Sequence, residues 1–300
     1  MPHVTARNIQ FYYQQKGTGP DVLLIHGITG NLAVWMLSGL VQKLAKQFRV
    51  TAFDMRGHGY SDTPEFHYTS SDMADDVQAV CEALAIKDVR LLGHSYGAVV
   101  ALHAASKYPS LVEGVILSDP FVPALHKLQP DPRNWKGFNA YKTNARSAGM
   151  FIDGNLWDLK EMLEQAASLT GARKALFIKK AGEASLERLV RLHGTTCGSD
   201  VARIAGLTEE TIGRIQQNAV CLYGEHSPFL PMCEGIGQLL PNCSMDRIPK
   251  AQHFAFEENP LFFIDRVEQH FCDMTGLQPT GVSEGIELQR KNIMTDSDSV

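Results

Sequence analysis

Val89-Arg90-Leu91-Leu92-Gly93-His94-Ser95-Tyr96-Gly97-Ala98 reads as a strand, a sharp turn and the start of a helix. The turn is a G-x-S-x-G. Behind it, Ala98, Ala101, Leu102 and Ala105 form a small-residue helical face that stops at Pro109. Chemistry at a serine needs this order. A tight strand-to-helix turn lifts the hydroxyl to the edge of a sheet, and glycines on both sides let the flanking backbones pass closely. The helix then aims its free N–H groups and its dipole at any negative charge developing beside that hydroxyl. Ser95 is therefore the candidate nucleophile.

Outward from this stretch, apolar runs alternate with helical patterns. Asp21–His26, Val50–Phe53, Val115–Leu117 and Ala219–Tyr223 are short, nearly continuous apolar runs, the signature of strands buried on both faces of a parallel sheet. Met73, Val77, Val80 and Leu84 recur at helical spacing behind Ser70, Ser71 and Asp72, which are read as the cap. Asn259-Pro260 precedes Leu261, Ile264, Val267 and Phe271, an N-cap and N1 proline ahead of a last helix. The alternation predicts an α/β fold with a mostly parallel central sheet.

Between Phe121 and about Asn218 the strand signal vanishes. Leu159, Met162, Leu163 and Ala166, then Leu186, Leu189 and Val190, then Ile212 and Ile215 behind Thr208, are all helical in period. The stretch is too long for a simple crossover, so an inserted helical cap is expected. The domain reading is a core over 1–120, a cap over 121–217, the rest of the core over 218–275 and a flexible polar tail over 276–300.

Composition narrows the function classes. The 28 Lys and Arg against 33 Asp and Glu give a net charge of −5. That excludes a broadly basic nucleic-acid binder. Hydrophobic residues at 44% and charged residues at 20% fit a globular chain rather than a disordered one. No apolar run reaches the ~18 residues needed to span a membrane, and the N-terminus shows no secretory signal pattern. Cys81, Cys197, Cys221, Cys233, Cys243 and Cys272 form no metal-type spacing and are read as free thiols in a reducing, cytoplasmic setting. No P-loop or G-x-G-x-x-G is present, so no cofactor and no metal are implied. Oligomeric state is left open.

These motifs in this order resemble the α/β-hydrolase superfamily, over residues from about Asn8 to Phe271. His26-Gly27-Ile28-Thr29-Gly30 is similar to that fold's oxyanion loop, and Asp54-Met55-Arg56-Gly57-His58-Gly59-Tyr60-Ser61-Asp62 to its D-x-R-G-x-G-x-S loop. Ala251-Gln252-His253-Phe254 is similar to its histidine loop. The resemblance implies that His253 is the general base, and that the backbone N–H groups of Ile28 and Tyr96 form the oxyanion hole. Arg56 and Asp62 are read as structural. His94 is read as a packing or hydrogen-bonding neighbour whose side chain points away from the serine oxygen.

The acid departs from the superfamily's usual pattern. Where a G-x-x-D is expected the chain has Gly224-Glu225-His226-Ser227. Glu225 stands two residues off register. Ser227 offers a hydroxyl but no charge, which would leave a Ser-His dyad. Asp119 ends the next strand beyond the nucleophile's, where some lactonases and haloalkane dehalogenases of the superfamily look similar, and it is the expected acid. Pro120 is expected to hold Asp119 extended. A serine nucleophile argues against the epoxide hydrolases and dehalogenases that attack with Asp.

The expected activity is a serine hydrolase cleaving a small apolar carboxylic ester or lactone through an acyl-enzyme. Acyl transfer or cyclisation, thioester cleavage, and a non-catalytic binding protein are the other readings. Phe121, Trp135, Phe138, Tyr141, Phe151 and Trp157 make the cap region aromatic. Such side chains build either the cap's own core or an acyl pocket. Trp135, Phe138, Tyr141 and Trp157 are the substrate-binding candidates.

Overall fold

The computed structural model describes residues 2–128, 131, 138–147, 149–150 and 158–281. Of the aromatic candidates in the cap, Trp135, Phe151 and Trp157 lie outside the described residues, and so do the side chains of Phe138 and Tyr141.

Among the described residues the strands are β1 (His3–Ala6), β2 (Ile9–Lys16), β3 (Asp21–Ile25), β4 (Arg49–Phe53), β5 (Val89–His94), β6 (Val112–Ser118), β7 (Asn218–Gly224) and β8 (Cys243–Ile248). They form one sheet in the order β1-β2-β4-β3-β5-β6-β7-β8. Pairs from β4 to β8 are parallel, and β1-β2 and β2-β4 are antiparallel. The two antiparallel strands were not legible in the sequence. They sit at one edge, where half-polar segments such as Gln14 and Gln15 are tolerated, so they lack the continuous apolar run of the central strands.

The helices begin with α1 (Ala33–Leu37), α2 (Leu40–Leu44), α3 (Ser70–Ala83) and α4 (Tyr96–Lys107). The insert after β6 holds α5 (Phe138–Ser147), α6 (Leu159–Ala167), α7 (Gly171–Ala181), α8 (Glu183–His193), α9 (Cys197–Asp200) and α10 (Glu209–Gly213). The chain then returns to the core through α11 (Leu230–Leu239), α12 (Ala255–Glu258) and α13 (Pro260–Thr275).

Alternate residues of each central strand feed opposite faces. Leu23, Ile25, Leu91 and Val115 pack with α3, α4 and the cap, whereas Val22, Leu24, Leu92 and Ile116 pack with α1, α2 and α13. Strands buried on both faces must be apolar at every position, which is what made them readable. The helix α3 is capped by Thr69, not by the serines after it. Thr69 accepts from the Asp72 N–H, and the Asp72 carboxylate accepts from the Thr69 N–H. Asn259 does stand at the N-cap of α13, but its amide donates to Pro249 O at 3.0 Å instead of serving the helix.

The cap is seated on the core by specific contacts. The Thr196 N–H donates to Glu65 O at 2.9 Å, the Tyr68 N–H to Asp200 Oδ2 at 3.1 Å, and Arg191 Nη2 to Gly59 O at 3.1 Å. At the other end, residues 276–281 fold back onto the core. The N–H and hydroxyl of Thr280 both donate to Glu268 Oε1, at 3.1 and 2.6 Å. Residues 282–300 lie outside the described residues.

Candidate active site

The turn between β5 and α4 carries Ser95 at φ 53°, ψ −120°, a region that L residues rarely occupy. The surroundings enforce it. The Ser95 N–H is held by Ser118 O at 2.8 Å, and Ser95 O starts α4 by accepting from Ala98 N. A Cβ on Gly97 would collide with the carbonyls of Ile25 and His26, and one on Gly93 with the Gly97 carbonyl. Both glycines are therefore needed to press strand, turn and helix together.

Three sequence-distant side chains meet at this turn. His253 Nε2 lies 3.2 Å from Ser95 Oγ, and His253 Nδ1 donates to Asp119 Oδ1 at 2.9 Å. Because the carboxylate can only accept, the proton sits on Nδ1 and Nε2 is left to accept from the serine hydroxyl. Asp119 is fully buried and His253 side chain is 12% exposed. Burial lifts the Asp119 carboxyl above its ordinary range, while the donors from His253, Ser227 and the Gly224 N–H pull it back.

Asp119 is not extended as Pro120 suggested. Its φ is 52°. The strand pairing ends here with the Asp119 N–H donating to Leu222 O at 3.0 Å, and the backbone turns to bring the carboxylate over β7. There Oδ2 accepts from Gly224 N at 3.1 Å and Oδ1 accepts from Ser227 Oγ at 2.7 Å. Ser227, standing at the usual acid position, thus touches the carboxylate rather than the imidazole. Glu225 points elsewhere and accepts from the Lys250 N–H at 2.8 Å.

His94 is nearer to the site than expected. Its ring centroid is 4.8 Å from that of His253, so the two imidazoles pack together. Burial first, and the neighbouring His253 second, hold His94 well below an ordinary histidine pKa, so it is neutral. Phe229 and Phe254 complete the apolar shell of His253, at 5.2 and 4.9 Å between centroids.

The 26–30 loop lies directly against Ser95. A Cβ on Gly27 would stand 3.3 Å from the Ser95 Cβ. Two histidines that the sequence quoted without assigning a role hold this loop. His26 Nδ1 donates to Gly27 O at 2.8 Å, and Nε2 accepts from the Met55 N–H at 3.0 Å. His58 Nδ1 donates to Arg56 O at 2.7 Å, and Nε2 accepts from the Thr29 N–H at 3.0 Å. Each ring must be neutral to accept, and burial enforces this, lowering the His26 pKa and bringing that of His58 down to about 3. Among the described residues, the N–H groups of Ile28 and Tyr96 are not taken up by any loop carbonyl. Arg56 forks onto Asp76 at 2.5 Å, buried, and Asp62 accepts from the Gln10 N–H, so both hold the β4 loop as expected. Among the described residues no three His, Cys, Asp or Glu side chains converge to hold a metal ion, and no helix is long and apolar enough to cross a membrane.

Fold and site together define an α/β hydrolase, and comparison with known proteins agrees. The chain belongs to the alpha/beta hydrolase fold family, whose profile matches residues 20–260. It is 44% identical over 116 residues to the 2-(acetamidomethylene)succinate hydrolase of Mesorhizobium japonicum, a match covering 39% of this chain and 41% of that enzyme. The matched stretch thus spans well under half of that relative. The human serine hydrolase BPHL is 36% identical over 270 residues, covering 86% of this chain and 83% of its own. Among solved structures, E-2-(acetamidomethylene)succinate hydrolase superimposes with a TM-score of 0.62 at 25% identity, over 90% of this chain and 98% of that one.

Proposed function

We propose that this hydrolase cleaves a small carboxylic ester or lactone through an acyl-enzyme on Ser95. The observation that carries the reading is the hydrogen-bonded line Ser95 Oγ, His253 Nε2, His253 Nδ1, Asp119 Oδ1, with steps of 3.2 and 2.9 Å. In this reading His253 takes the serine proton as Oγ attacks the carbonyl carbon. The imidazolium so formed is stabilised by Asp119. The Ile28 and Tyr96 N–H groups, the latter at the N-terminus of α4, receive the negative charge on the carbonyl oxygen. His253 then returns the proton to the leaving alkoxide, and a water activated by the same ring releases the acid.

The relatives support this level of description. One carries the name serine hydrolase and another is named for hydrolysis of an acetamido-bearing succinate. The insert over 121–217 acts as a lid that shapes the acyl site, with the aromatic shell of Phe229 and Phe254 as its apolar floor beside His253.

The test is labelling with a fluorophosphonate probe and turnover of a 4-nitrophenyl ester. Wild type should label and turn over, and Ser95→Ala should do neither while keeping its circular dichroism spectrum. Loss of the nucleophile in such a triad leaves only the roughly 10³–10⁴-fold residual supplied by the oxyanion hole and binding. Undiminished turnover in Ser95→Ala would remove the assignment. The mass of the product separates hydrolysis from acyl transfer or cyclisation.

A further inference from the structure

Sulfur collects where β7 meets β8. Of the six cysteines five are buried, and Cys243, the first residue of β8, is half-exposed. Cys243 pairs with Ala219 in the β7-β8 register, and Cys221 stands two residues further along β7, opposite Met245. Side chains alternate along a strand, so both thiols leave the same face of the sheet. Their sulfurs lie 3.6 Å apart. Cys233, on the helix α11 that packs over this face, is hydrogen-bonded to Cys221 as well.

The two thiols are not equivalent. The hydrogen bond from Cys221 holds the Cys243 thiol below the ordinary cysteine range, against the opposite pull of partial burial. Hydrogen bonds to Cys233 and Cys243, and burial after them, push Cys221 well above that range. Cys243 is therefore both the accessible thiol and the readier thiolate, while Cys221 keeps its proton. The strand that carries Cys221 also seats Asp119. The Asp119 N–H donates to Leu222 O, and the Gly224 N–H donates to the Asp119 carboxylate. Between them Tyr223 donates its hydroxyl to Pro120 O at 3.1 Å. Diagonal neighbours in a sheet start farther apart than facing ones, so a bond between these sulfurs draws β7 toward β8 next to that seat.

We propose that Cys243 and Cys221 are a modification site, a thiol pair oxidised by hydrogen peroxide, whose disulfide slows the hydrolase by shifting the β7 seat of Asp119. In the first step the Cys243 sulfur attacks one peroxide oxygen. The O–O bond breaks, Cys243 becomes a sulfenic acid, and the other oxygen leaves as water with the thiol's proton. In the second step the Cys221 sulfur attacks the Cys243 sulfur. The S–O bond breaks, the S–S bond forms, and the hydroxyl leaves as a second water with the Cys221 proton. Two thiols give up two electrons and two protons, and one peroxide takes both. The closed ring of chain contains Gly224, Ser227 and Phe229, which hold Asp119 and pack on His253. The slowing rests on the serine-hydrolase reading; the disulfide does not.

The test has a mass arm and a kinetic arm. Reduced wild type is treated with hydrogen peroxide, and the remaining thiols are blocked with iodoacetamide. Its mass should fall by two hydrogens at the Cys221–Cys243 pair. Cleavage after Glu225 and Glu234 puts Cys221, Cys233 and Cys243 on separate peptides, so the bridge can be mapped. Turnover of a 4-nitrophenyl ester should drop about tenfold or more, as small displacements of a catalytic constellation do, and dithiothreitol should restore it. Cys243→Ser should form no bridge and keep its turnover under the same dose. Cys221→Ser should carry Cys243 on to the sulfinic acid, which dithiothreitol does not reverse. If Cys221→Ser does not fold, the wild-type map decides alone. A bridge through Cys233, a sulfinic Cys243 in wild type, or a buried cysteine that iodoacetamide alkylates before Cys243 overturns the pair. A mapped bridge with unchanged turnover overturns the coupling to Asp119. A Cys221–Cys243 bridge in a protein that cleaves no ester even when reduced would sink the hydrolase reading and leave the thiol pair standing.

Discussion

At the residue scale, Asp119 concentrates the unusual features of this site. It is fully buried, has a positive φ, and is fed by three donors. A carboxylate so placed stabilises an imidazolium far better than a hydroxyl dipole, because the surrounding dielectric is low. Asp119→Asn should therefore lower kcat by on the order of 10²–10⁴, with a thermal midpoint close to wild type. Ser227 acts through Asp119, its hydroxyl fixing Oδ1 at 2.7 Å. Ser227→Ala should cost about tenfold or less. Steady-state kinetics on a 4-nitrophenyl ester ranks the two. A neutral Asp119→Asn beside a crippling Ser227→Ala would reverse their roles.

At the scale of elements, the site depends on how α3, α4 and the loops after β3 and β4 are anchored. Tyr96, next to Ser95, donates its hydroxyl to Tyr68 O at 2.9 Å, and Tyr68 leads directly into the Thr69 cap of α3. The capping box ties the start of α3 to the segment that supports the elbow. Thr69→Ala should cost about 1 kcal/mol, as loss of an N-cap hydroxyl typically does, which is a shift of about 2 °C in thermal midpoint for a chain of this size. Differential scanning calorimetry measures it, and fluorophosphonate labelling of Ser95 should persist. An unchanged midpoint would mean that the cap contributes nothing to α3.

At the scale of the whole molecule, several imidazoles are stored neutral. Burial lowers the pKa of His58 to about 3 and that of His103 to about 4, and depresses His26 and His94 as well. An unfolded imidazole takes its proton near 6.5. Between there and the folded values the unfolded chain binds protons that the native chain refuses, so stability falls as pH falls through this window. Above about pH 6.5 this stabilisation is fully present. For a fully buried ring such as His58 the slope approaches about 1.4 kcal/mol per pH unit. Asp246 adds to the loss lower down: burial would raise its pKa, but hydrogen bonds from His270 and Arg266 outweigh it and hold the carboxyl below its usual range. Urea unfolding at neutral pH and near pH 5 should show a lower midpoint in acid. His103→Gln removes one such proton and should flatten the dependence. An identical slope in that variant would show that His103 titrates normally in the fold.

Much of this architecture was readable before any coordinates. The central strands are apolar on both faces, so their runs announce themselves, and the Gly93 and Gly97 spacing around Ser95 is dictated by backbone clearances that a linear motif records directly. Edge strands β1 and β2 escaped, because a half-exposed antiparallel strand carries a mixed pattern. The sequence favoured Asp119 over Glu225 and Ser227 as the acid, from its charge and its place at a strand end, while local pattern kept all three in play. What no local pattern records is the φ of 52° that swings Asp119 over β7 to His253, and the hydrogen bonds that bring Ser227 to the carboxylate and Glu225 to Lys250. The tasks of His26 and His58 were likewise hidden. A histidine's tautomer is set by neighbours far away in the chain. Local pattern reports which groups can ionise or donate, and three-dimensional packing alone determines which of them are left without a partner.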